Sequence, residues 1–223
     1  MKTIKVWDLF VRVFHWSLVL AILSQLITAE DFQPIHIRIG YFIIVLLVLR
    51  IMWGFIGTRH ARFTDFLYPP ADVLTYLKGL FRGTAPRYTG HNPAGGAMVI
   101  ALLVVLSLTT LSGLLTHRAE GRGPLVLGTG NLVSPALADD DGHDDRSDHS
   151  GRYAHEAPGQ LPDEMHGPVA SERNAHFWKE IHESLVGILI FLAVVHIGGV
   201  LVSSYAHKEN LIWAMITGRK KDG

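Results

Sequence analysis

The chain has 223 residues, 48% of them hydrophobic, with no cysteine and with 20 lysines and arginines balancing 20 acids. The missing thiols exclude disulfides, thiolate metal sites, iron–sulfur clusters and sulfur-linked c-type haem. Balanced charge, with no basic run carrying aromatics, gives no footing for nucleic acid.

In chain order, the first long apolar stretch is about Leu9–Ala29, LFVRVFHWSLVLAILSQLITA. The basic start MKTIK is what a secretory signal would have. The apolar run is longer than a signal core, however, and it carries Arg12 and His15 with no small-residue cleavage site after it, which predicts a retained helix. The second stretch is about His36–Ile56, HIRIGYFIIVLLVLRIMWGFI. In the connection that follows, PADVLTYLKGLF places Val73, Leu77 and Leu80, with Leu74 and Phe81, at helical spacing. Pro70 before it and Gly83 after it frame a short helix, lying in the membrane interface or serving as a plain connector.

The third apolar stretch is about Ala97–Thr116 and the fourth about Ile181–Tyr205. Between them lies a connection of low hydrophobicity, about 118–175, rich in Asp, Gly and Pro, which is expected to be mobile. Its tract 139–166 includes His143, His149, His155 and His166 among aspartates, without the spacing of a closed metal site. Each of the four apolar stretches can span a bilayer, and in lipid each must be helical because its backbone groups need internal partners. The expected fold is all-α: one domain over 1–223, an integral membrane four-helix bundle with a long extracytoplasmic loop between the third and fourth spans.

Loop charge sets the orientation. The 58–92 connection carries Arg59, Arg62, Lys78, Arg82 and Arg87 against Asp65 and Asp72, and both termini are basic. The 30–35 loop has only Glu30 and Asp31, and 118–180 has twelve acids against six bases. By the positive-inside rule both termini and the 58–92 loop are cytoplasmic.

That orientation gives each membrane histidine a depth. His182 and His196 are fourteen residues apart, roughly 40° around one helix and about 21 Å along it. They face one side at two depths of a hydrocarbon core about 30 Å thick. His36 opens the second span near the outer surface, and His15 lies six residues into the first, toward the cytoplasm. Depth therefore pairs His36 with His182 outside and His15 with His196 inside. The third span offers only Asn92 and His117 near its ends and is expected simply to close the bundle.

Histidine is costly in lipid unless it lines a cavity, pairs or binds something. Two imidazoles at one level, one from each of two facing helices, can ligate a haem iron axially. A bis-histidine haem has no open position and suits one-electron transfer. Two such b-type haems would carry electrons across the membrane. Proton or metal-ion transport along the same histidines, without haem, is the competing reading.

Arg50 stands fourteen residues after His36, hence on the same face at the inner level, where it could neutralise haem propionates or snorkel to headgroups. Arg12 and Arg38 carry the same ambiguity. Gly40, Gly113 and Gly187 could admit a flat macrocycle or close helix packing. Trp7, Trp16, Trp53, Trp178 and Trp213 sit near span ends, as in an aromatic belt.

The stretches VWDLFVRVFHW, RYTGHNPAGG, FWKEIHESLVGILIFLAVVHIGGVLVSS and HKENLIWAMITGRK resemble the bacterial cytochrome b561 family, which includes the b-type cytochrome of nickel–iron hydrogenase. The likeness covers almost all the chain outside 125–170. It implies a di-haem b-type cytochrome of the bacterial inner membrane with ligands at His15, His36, His182 and His196. It also implies exchange with quinone on one side and with a c-type cytochrome or hydrogenase-type redox subunit on the other. The acidic loop is longer than the resemblance leads one to expect.

Overall fold

A computed structural model describes residues 3–29, 31–121 and 168–221. A three-residue strand β1 (Thr3–Lys5) leads into α1 (Leu9–Thr28), whose first turn is capped by Asp8, Oδ1 accepting from Val11 N at 2.8 Å. Next comes α2 (Gln33–Ile56), with Pro34 in its first turn, where no amide proton is needed. Two short 3-10 turns, Arg59–Ala61 and Phe63–Asp65, precede α3 (Pro70–Phe81), the short helix expected from the spacing.

The helix α4 (Pro93–Ala119) begins on the GHNP segment, where Asn92 Oδ1 accepts from Gly95 N at 2.7 Å. Asn92 thus caps a start that its own Pro93 makes natural. Helix α5 (Pro168–Ala206) runs 39 residues, about 58 Å, and so extends well beyond the apolar part of its sequence. A short helix α6 (Leu211–Thr217) is capped by Asn210 and stops at Gly218, whose φ of 78° is the left-handed conformation a helix stop favours. The chain ends in β2 (Arg219–Lys221), antiparallel to β1 with Lys5 opposite Arg219.

Four of these helices, α1, α2, α4 and α5, are long and apolar enough to cross a membrane. Their packing centre is Ala21, Ile43, Leu47, Leu106 and Leu189, drawn from all four. Leu189 is seven residues from His182 and seven from His196, so this apolar layer lies about 10 Å along α5 from either histidine. Apolar residues such as Leu20, Val48, Val104 and Phe191 face outward, each more than half exposed, as lipid-facing side chains of a span do.

The chain divides into two compact units, 1–113 with 179–223, and 114–178. The first holds His15, His36, His182, His196 and Arg50. At its terminal end, where β1 meets β2, a second core forms from Val6, Trp7, Val11, Ala61 and Ala214.

Candidate functional site

All four membrane histidines are half-buried. On the first level, the His36 and His182 rings stand with centroids 6.3 Å apart and planes 78° apart. His36 lies beside the Gln25 backbone of α1. The His182 ring is held by α4: Nδ1 is 2.9 Å from the Thr109 carbonyl oxygen and 3.2 Å from Ser112 Oγ. A carbonyl only accepts, so Nδ1 carries the ring hydrogen and Nε2 presents its lone pair. On the second level, His15 of α1 and His196 of α5 are electrostatic neighbours, and the His15 Nδ1 is buried without a partner. The structure brings His36 and His182 together at one level, and His15 within electrostatic reach of His196 at the other.

The third long helix does more than close the bundle, because its backbone fixes His182. At Gly113 the space beside the backbone is taken by the His182 ring: a Cβ there would lie 3.0 Å from His182 Cε1. Gly187 does face open space.

Arg50 is enclosed. It is 3% exposed, with one guanidinium nitrogen donating to the Ala61 carbonyl at 3.2 Å and its plane near the rings of Phe63 and Phe66. The 59–66 turns close over it. Arg12 is likewise engaged, donating to the Ile216 carbonyl of α6 at 2.8 Å, while Arg38 is exposed.

Around Arg50 the terminal end forms a polar cap that the sequence did not announce. Asp8 accepts from Trp53 Nε1 at 3.1 Å and from Thr58 Oγ1, besides capping α1. Burial alone would raise its carboxyl, but these hydrogen bonds and the Arg50 charge outweigh it and bring the pKa below the ordinary value. His91 packs between Trp7 and Phe66, at 4.6 and 4.7 Å, with Nδ1 shut off and unpartnered. Desolvation, then the charges of Arg50 and Lys220, push its pKa down to about 3. His60 Nδ1 meets Asp65 at 2.8 Å, and Glu209 joins Arg87 and Lys220 in an ion-pair network. Trp7 and Trp53 belong to this cap rather than to an interfacial belt.

Among the described residues no group of three or more His, Asp or Glu side chains could hold a metal ion alone. His143, His149, His155 and His166 lie outside them. Each level thus offers two nitrogens, too few for a bare ion and suited to an iron that brings four equatorial nitrogens of its own. Imidazole nitrogens bind such metals at about 2 Å, and each lies roughly 1.1 Å from its ring centre, so a shared axial iron needs centroids about 6 Å apart. The 6.3 Å separation fits.

The family model for prokaryotic cytochrome b561 matches residues 6–218. The chain belongs to that family. A prokaryotic cytochrome b561 is a helical membrane bundle that binds haem b and works in electron transfer, and this one is a bacterial multi-pass membrane protein. Its surroundings are lipid and redox partners. No curated protein and no solved structure matches this cytochrome.

Proposed function

We propose that this cytochrome carries two haem b groups, one between His36 and His182 and one between His15 and His196, and passes electrons across the membrane. The observation that carries the reading is the pair of imidazoles 6.3 Å apart; fourteen residues further along α5, His196 is within electrostatic reach of His15. Each haem, when bound, supplies a one-electron couple with no open coordination position.

The chain's own contribution is to hold the ligands and exclude water. His182 is fixed with Nε2 free, and the layer of Ala21, Ile43, Leu47, Leu106 and Leu189 keeps the region between the two levels dry. We assign both termini and the polar cap to the cytoplasmic side from the excess of Lys and Arg there. His15 and His196 then serve the cytoplasmic level. The electron partners in this reading are a quinone, placed by analogy near the cytoplasmic haem, and a c-type cytochrome or hydrogenase-type subunit of a respiratory chain.

The test is a reduced-minus-oxidised spectrum of the purified protein with haem quantified per chain. Two b-type haems are expected. One haem would remove a level, and a colourless protein that moves protons or metal ions would replace the reading with transport.

A further inference from the structure

We propose that α4 tunes the haem at the His36–His182 level: the Thr109 carbonyl and Ser112 hydroxyl set the proton and plane of the His182 ring, and Gly113 gives the ring its seat. This rests on the reading of His36 and His182 as haem ligands.

Thr109, Ser112 and Gly113 stand at i, i+3 and i+4, so they share one face of α4. Ser112, 2% exposed, donates its own proton to the Thr109 carbonyl at 2.8 Å. With that proton committed, the hydroxyl has only lone pairs to offer the His182 Nδ1–H, 3.2 Å away. The ring hydrogen therefore sits between two oxygens. On the other side, Gly113 is close enough that a methyl there would stand 3.0 Å from Cε1 and 3.1 Å from Nδ1. Rotating away from that methyl would break the bond to Thr109, so the ring has one comfortable plane.

A hydrogen bond from the second ring nitrogen to oxygen makes the ligating nitrogen a stronger donor, which favours ferric over ferrous iron. No such partner reaches the Nδ1 of His36, at the same level, or of His15, at the other. His182 is thus polarised where His36 and His15 are not, and Ser112 and Gly113 act as positioning residues for that one ring.

The experiment is a redox titration of the haem-loaded protein, with low-temperature EPR, on Ser112→Ala, Ser112→Thr, Gly113→Ala, His182→Ala and the control Ser107→Ala. Ser112→Ala is expected to raise the midpoint potential of one centre, the centre that His182→Ala deletes, and to leave the other at its parent value. Ser112→Thr restores the hydroxyl and returns the potential toward the parent. Gly113→Ala shifts the low-spin g values of that same centre. The Ser107 hydroxyl bonds the Leu103 carbonyl of its own helix, and its removal moves neither centre. If Gly113→Ala fails to fold, the Ser112 pair decides.

Unchanged potentials in Ser112→Ala, or equal shifts at both centres, overturn the proposal while the haem assignment stands. If His182→Ala keeps both haems, the ligand assignment fails and takes the proposal with it.

Discussion

The two histidine levels differ at one ring, His182. At the His36–His182 level the polar contacts fall on a ligand itself, with two oxygens of α4 on the His182 ring. The Nδ1 atoms of His36 and His15 have no partner, and at the His15–His196 level the polar contacts fall on the cap of loops at that end. One level is ordered by its immediate neighbours. The other lies at the end where β1, the 3-10 turns, α6 and β2 are tied together.

The largest effect that can break this comparison comes from removing ligands. His36→Ala and His182→Ala should each delete one b-type centre, and His15→Ala and His196→Ala the other, read as half the parent haem content and one missing step in the redox titration. Loss of the same centre from His15→Ala and His182→Ala would show the pairing to be wrong.

Next in size is Arg50. Arg50→Leu strips the Ala61 carbonyl and Asp8 of their buried cationic partner, a loss of roughly 2–4 kcal/mol. The thermal midpoint should fall, with both haem potentials at parent values at low temperature. A shifted potential with an unchanged midpoint would return Arg50 to the cofactor and refute its place in the cap.

A smaller effect sharpens the same contrast through pH. His91 has a folded pKa of about 3 against an ordinary 6.5. Below pH 6.5 the unfolded chain takes up a proton that the folded chain refuses, so stability is full above that pH and declines as pH falls toward 3. Asp8, also lowered, contributes above its ordinary carboxylate range and loses that contribution at still lower pH. Thermal midpoints measured from pH 7.5 to 5 should decline in the parent and stay flatter in His91→Phe. Parallel declines would remove His91 as the source.

The spans and the four histidines were legible because their signals are local: apolar runs, and a fourteen-residue spacing that a helix turns into one face. The helix ends were less so. The apolar run begins at Ile181, but α5 starts at Pro168, since the polar turns before the span contain no breaker and need no lipid to be helical. The β1–β2 ribbon left no trace, because it joins Lys5 to Arg219 across nearly the whole chain through three-residue strands. Spacing gave the face on which Arg50 lies but not the 59–66 turns that fold over it. The grip on His182 was hidden for another reason. Its main acceptor is a backbone carbonyl, which residue type does not mark.

The smallest effect should come from deleting 140–168. The bundle's packing centre and all four proposed ligands lie in α1, α2, α4 and α5. A tract this rich in Asp and Gly has little apolar surface with which to add to that centre. The shortened protein should therefore keep both haems at parent potentials. It is expected to differ only in its rate of electron exchange with an outer redox partner, measured by stopped flow. Loss of the His36–His182 centre alone would mean that this level draws support from beyond α4, and the contrast between the two levels would have to be redrawn around the loop.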